Sequence, residues 1–84
     1  MSHWVYIIRS ERNGRHYTGS SADPLRRLTD HNTGRVTATK YLRPWSLVYV
    51  EEFPDAASAR QREYHLKSMK SRVYLESLVN RSVG

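Results

Sequence analysis

The stretch HWVYIIRSERNGRHYTGS, residues 3–20, decides the fold. Its opening is aromatic and β-branched, with Trp4, Tyr6 and Ile8 on one face of a strand and Val5, Ile7 and Arg9 on the other. Apolar residues stand on both faces, so both faces call for cover. Asn13-Gly14 suits the positive φ angles of a hairpin turn, which returns residues 15–20 antiparallel to the first strand. Tyr6 and Tyr17 then approach one another across the two strands.

Working outward, Asp23-Pro24 begins a helix. The aspartate oxygen caps free backbone N–H groups, and proline at the first helical position gives up a donor that would be unused. Leu25 and Leu28 form its apolar edge, Arg27 and His31 share a face four residues apart, and Asn32-Thr33-Gly34 ends it. Residues 35–45 read as a loop whose Arg35, Lys40 and Arg43 are solvated unless the site lies beside them. Trp45–Phe53 reads as a third strand, with Leu47, Tyr49 and Glu51 alternating against Val48 and Val50. Pro54-Asp55 stops that strand and caps a second helix.

On that second helix, Ala56, Ala59, Glu63, Leu66 and Lys70 make an inward stripe that contains a carboxylate. A buried charge without a partner is costly, so Glu63 must be paired, protonated or set in a cleft where it holds a cation. A last helix over residues 72–80 buries Tyr74 or Leu75 together with Leu78. The order is β-β-α-β-α-α, an α+β fold. A right-handed crossover places strand three parallel to strand two with strand one between them, giving a three-stranded antiparallel sheet flanked by helices.

The 84 residues suffice for one domain spanning 1–84, with a thin core. Fourteen Lys and Arg against eight Asp and Glu give a net charge of +6, and eleven of the fourteen are arginine, whose planar fork suits phosphate oxygens. Such a balance fits either plain solubility or nucleic-acid binding. The chain has no cysteine, which excludes disulfides and thiolate metal sites. No run approaches the ~20 apolar residues of a membrane span, and the start shows no signal-peptide pattern, so a cytoplasmic location and no membrane contact are the expectation.

Taken in order, these features resemble the GIY-YIG nuclease family. Trp4-Val5-Tyr6 stands where that family has Gly-Ile-Tyr, and Tyr17-Thr18-Gly19 where it has Tyr-Ile-Gly. Arg27 and Glu63 stand at its helical positions. Trp4, Val5 and Thr18 depart from the pattern, and each departure spares the residues that would touch phosphate. Thr39-Lys40, Tyr49-Val50-Glu51 and residues 62–67 are similar to segments of the small stand-alone branch.

The resemblance implies an endonuclease that hydrolyses phosphodiester bonds, on DNA ahead of RNA, in roles such as DNA repair. It implies Tyr6, Tyr17, Arg27, His31 and Glu63 as catalytic residues. Tyr6 would be the general base with His31 accepting or orienting its proton, Tyr17 would position water or phosphate, and the two tyrosine roles are exchangeable. Arg27 would stabilise the phosphate, and Glu63 would hold Mg²⁺, for which Mn²⁺ can substitute. Arg26, Arg35, Lys40, Arg43, Lys67 and Asn80 are candidate nucleic-acid contacts, and Arg26 points about 100° away from Arg27. His3, His16 and His65 read as incidental. A targeting protein partner and a monomer or weak homodimer accord with a nuclease lacking a second specificity domain. A binding module with weak or no catalysis is the alternative, and a protein adaptor using Trp4, Trp45 or Tyr64 is a third reading.

Overall fold

The computed structural model describes residues 2–69 and 72–83, with side chains described for 2–69 and 74–79. Its elements are β1 (His3–Ser10), β2 (His16–Ser21), α1 (Pro24–Asn32), a 3-10 turn (Lys40–Leu42), β3 (Trp45–Phe53), α2 (Ala56–Met69) and α3 (Arg72–Val83). The sheet order is β2-β1-β3, and both pairings are antiparallel. This is the α+β arrangement expected of a hairpin followed by a right-handed crossover.

Local chemistry explains the boundaries. Gly14 takes φ 75° in the turn between β1 and β2, and the buried Ser10 hydroxyl accepts the N–H groups of Arg12 and Asn13 there. Asp23 caps α1 by accepting from the Arg26 N–H at 3.1 Å, and Asp55 caps α2 by accepting from the Ser58 N–H at 2.7 Å. Those bonds hold the Asp55 carboxyl below the usual carboxylate range. Helix α1 ends through Thr33, with Gly34 at φ 82° just beyond.

The sheet carries apolar packing on both faces. Val5 and Ile7 pack with Ala59 and Leu66 of α2 and Leu78 of α3, and Tyr74 and Leu75 pack against that cluster. Tyr6, Ile8 and Trp45 form the other cluster, under Leu28 of α1 and beside Tyr17, Leu42 and Leu47. The strict alternation expected along β3 fails at one point. Ile7 pairs with Tyr49 but Ile8 with Leu47, so Val48 is an extra residue, and Val48 and Tyr49 both face the α2–α3 side. A bulge of this kind breaks the two-residue period and moves Tyr49 to the face opposite Leu47.

Tyr49 thereby donates to Glu51 Oε2 at 2.5 Å, while Arg62 of α2 pairs with Glu51 Oε1 at 3.0 Å. Burial, and then the Glu51 carboxylate, push the Tyr49 phenol up. This cluster fastens α2 to β3. Helix α2 also packs on β1 and β2, so the residue after Arg62, Glu63, reaches the β2 side of the sheet.

Across the hairpin, Tyr6 is the direct partner of Gly19. The Tyr6 ring lies over that glycine: a Cβ built at position 19 would stand 2.5 Å from the Tyr6 hydroxyl and 2.6 Å from Cζ. Any other residue here collides with a ring that is only 2% exposed and has nowhere to go. Gly19→Ala is expected to lower stability by about 1–3 kcal/mol through overpacking. It should also displace the Tyr6 hydroxyl, seen in urea unfolding and in altered His31 ring resonances. Unchanged stability and spectra would show that the ring does not depend on the glycine.

Candidate active site

Laid across Gly19, the Tyr6 side chain carries its hydroxyl toward the β2 edge of the sheet. There it is 2.9 Å from Nε2 of His31, which α1 brings in from the same face. Tyr17 lies on that face too, its ring centroid 5.1 Å from that of His31 in an edge-on contact. Both tyrosines therefore touch one histidine.

His31 is fully buried, and its Nδ1 lies 2.7 Å from the hydroxyl of Thr39, itself 1% exposed. The loop, read as solvated unless the site lies beside it, thus lies beside the site through Thr39. Asn32 and Trp45 hold it in place. The Trp45 N–H donates to Asn32 Oδ1 at 2.6 Å, Asn32 Nδ2 donates to the Trp45 carbonyl at 3.0 Å, and Trp45 Nε1 donates to the Thr39 carbonyl at 2.9 Å.

Electrostatics set the resting protonation of this pair. Burial pushes the Tyr6 phenol up to about 12; the adjacent Arg27 opposes that shift, and Tyr17 and Glu63 reinforce it. Burial and then the Arg27 charge push His31 down to about 4, against a smaller opposing pull from Asp30. At neutral pH both groups are uncharged. Arg27 itself is half-buried and lies 3.5 Å from Asp30.

Glu63 closes the site from α2. It is paired, which answers the question its place on the inward stripe raises: Ser20 Oγ donates to Oε1 at 2.6 Å, and Lys67 Nζ donates to Oε2 at 2.6 Å. Burial opposes ionisation, but the Lys67 and Ser20 hydrogen bonds outweigh it and hold the carboxyl below its usual range. Lys67 Nζ also lies 5.7 Å from the Tyr17 ring centroid, bridging the glutamate and the second tyrosine. Among the described residues no three His, Cys, Asp or Glu side chains cluster as a metal cage. Among the described residues, Glu63 is the carboxylate that would hold a divalent ion. A single ionised oxygen donor on the rim of an open face fits a hard cation that keeps most of its water.

Tyr6, Tyr17, Arg27, His31 and Glu63, the set that the resemblance implies, lie near one another. Arg26 is exposed and contributes only its backbone N–H to the Asp23 cap, whereas Arg27 faces the phenol. Arg35 pairs with Asp30 at 3.8 Å, Arg43 donates to the Lys40 carbonyl at 2.6 Å, and Lys40 stacks 4.9 Å from the exposed Tyr41 ring. These three cations belong to the loop that carries Thr39. The Asn80 side chain lies outside the described residues. His65 meets Arg62 instead of the site, at 3.1 Å. The site residues that sequence reading misses are Ser20, unmarked by any motif, and Thr39, visible only as part of a Thr-Lys echo.

The depressed His31 pKa has a sign that can be tested. Between about 4 and its unfolded value near 6.5, the unfolded chain binds a proton that the native state refuses. Stability from this source is complete above 6.5 and is lost as pH falls toward 4. Lowering pH from 7 to 5 should cost about 2 kcal/mol more in the wild type than in His31→Gln, by urea unfolding. Equal losses in the two proteins would contradict a neutral, buried His31.

Comparison with known proteins agrees with this geometry. The family model described as the GIY-YIG catalytic domain matches residues 2–75. A UPF0213 protein of Staphylococcus saprophyticus is 39% identical over 67 residues, covering 79% of this chain and 80% of its own. A UPF0213 protein of Halobacterium salinarum is 38% identical over 79 residues, covering 90% and 97%. The solution NMR structure of a UPF0213 protein from Bacillus halodurans matches with a TM-score of 0.58 and 37% identity, over 95% of this chain and 84% of that one. With the hairpin motifs, the arginine, the histidine and the glutamate converging on one sheet edge, the chain belongs to the GIY-YIG family, among its small UPF0213 proteins.

Proposed function

We propose that this protein is a divalent-metal-dependent endonuclease that hydrolyses phosphodiester bonds in DNA, with residues 1–84 acting as one nuclease domain. The observation that carries the reading is the buried Tyr6–His31 hydrogen bond of 2.9 Å beside Arg27 and Glu63. A phenol joined to a neutral imidazole is a route for a proton. The attacking water gives its proton to Tyr6 Oη as Tyr6 gives its own to His31 Nε2; the water oxygen bonds to phosphorus and the bond to the departing oxygen breaks.

Resting pKa values of about 12 and 4 make that transfer unfavourable without substrate. Substrate changes this balance. A phosphate paired with Arg27 cancels part of the positive field that depresses His31, so the imidazole becomes a better base when the reacting group arrives. Arg27 also neutralises and orients the phosphate through charge-assisted hydrogen bonds. Mg²⁺ or Mn²⁺ held by Glu63 would supply further charge neutralisation at the phosphate and the departing oxygen. Tyr17, edge-on to His31 and under Lys67, is placed to orient water or phosphate.

An apolar groove of about 390 Å³, lined by Trp4, Pro24, Leu25, Leu47 and Val50, involves none of the five catalytic candidates. Arg26, Arg35, Lys40, Arg43 and Lys67 are the candidate contacts to the nucleic-acid backbone. One observation favours the weaker reading of a binding module: Lys67 already pairs with Glu63, the residue that would hold a metal. Such a module would bind with an affinity falling by about −0.9 per phosphate neutralised in a log–log salt plot, and would cut nothing.

The test is cleavage of linear, single-stranded, flapped and branched DNA with Mg²⁺ or Mn²⁺. Nicking should appear only with the metal and fall by about 100-fold or more in Glu63→Ala and Arg27→Ala. Arg26→Ala should stay within about threefold, as a backbone contact outside the site. No cleavage of any substrate, or full activity in Glu63→Ala, would reject the nuclease reading.

A further inference from the structure

The Tyr6–His31 pair transmits a proton in one direction only if the imidazole is in the right tautomer, and the groups around it choose that tautomer. Thr39 has a single hydroxyl proton. Its Oγ1 lies 2.7 Å from His31 Nδ1 and is within 3.4 Å of the Val36 carbonyl, to which it donates. With its proton directed there, Oγ1 meets Nδ1 as an acceptor, and Nδ1 must carry the hydrogen.

The other side of the ring leads to the same answer. The Tyr6 oxygen faces the Arg27 guanidinium, which is a donor only, so the phenol proton needs an acceptor elsewhere. The lone pair on His31 Nε2, 2.9 Å away, supplies it. In this tautomer each bond of the Tyr6–His31–Thr39–Val36 chain has one proton and one acceptor.

Thr39 is also rigidly held. Its N–H donates to the Val36 carbonyl at 3.1 Å and its own carbonyl accepts from Trp45 Nε1 at 2.9 Å. Trp45 is in turn bonded to Asn32, the residue after His31. The threonine is therefore built into the same frame as the histidine it touches.

We infer that Thr39 is a positioning residue that locks His31 in the Nδ1–H tautomer, so that Tyr6 has an acceptor for its proton and its oxygen is free to receive one. The inference rests on the proposed nuclease reading for its catalytic consequence, but the tautomer itself is observable without cleavage. Removing the hydroxyl strands a buried Nδ1–H. With that acceptor gone only Tyr6 still favours the Nδ1–H form, so part of the population moves its hydrogen to Nε2, where it points at Tyr6 and blocks the transfer.

The experiment is long-range ¹H–¹⁵N correlation of the histidine rings in wild type, Thr39→Val, Thr39→Ala and Thr39→Ser, paired with cleavage kinetics on whichever DNA the wild type cuts. Wild type and Thr39→Ser should show the Nδ1–H form. Thr39→Val and Thr39→Ala should shift toward Nε2–H, with kcat lower by about tenfold or more and KM for DNA unchanged. The Nε2–H form in the wild type, or an unmoved Nδ1–H form in either folded variant, would overturn the inference. The expected tautomer shift in a wild type that cuts no DNA would uphold the tautomer lock and reject the nuclease reading instead.

Discussion

The site depends on one close approach: the Tyr6 ring crosses β2 at Gly19, where any side chain would strike the phenol. Without that crossing the hydroxyl would stay inside the sheet. With it, a residue from the central strand reaches the sheet edge, where His31, Arg27, Tyr17 and Glu63 arrive from β2 and two helices. The hairpin does more than pair two strands, since its register decides which residue lies under the ring. A slip of one residue would place Thr18 or Ser20 there and turn Tyr17 to the opposite face.

Around this crossing the site divides into a dry half and a wet half. Tyr6, His31 and Thr39 are buried and carry no charge at rest, while Arg27, Glu63 and Lys67 stand at the rim and are all paired. Burial has opposite effects on the two groups, raising the phenol and lowering the imidazole. Burial, and after it the Arg27 charge, keep His31 neutral, and that guanidinium is the group a phosphate would engage under the proposed reading.

The hairpin, the capped first helix and the antiparallel sheet were legible because each has a local cause: Asn13-Gly14, Asp23-Pro24, and apolar runs of the right length. Glu63 was legible as an anomaly on an apolar stripe. Three features were not. The bulge at Val48 depends on pairing with β1, and nothing within β3 announces it. Ser20 meets Glu63 and Thr39 meets His31 through side-chain hydrogen bonds between separate elements, which leave no periodic trace in a sequence. The placing of the 35–45 loop beside His31 rests on Asn32 and Trp45, two residues whose local readings are a helix end and a strand start.

Because both tyrosines touch His31, the most direct measurement is single-turnover cleavage by Tyr6→Phe and Tyr17→Phe on the same DNA. Of the two tyrosines Tyr6 makes the hydrogen bond to the imidazole, so Tyr6→Phe should lose about 100-fold or more of the rate, with Tyr17→Phe losing clearly less. A larger loss in Tyr17→Phe, with Tyr6→Phe close to wild type, would contradict the assignment of the proton route to the strand that crosses Gly19.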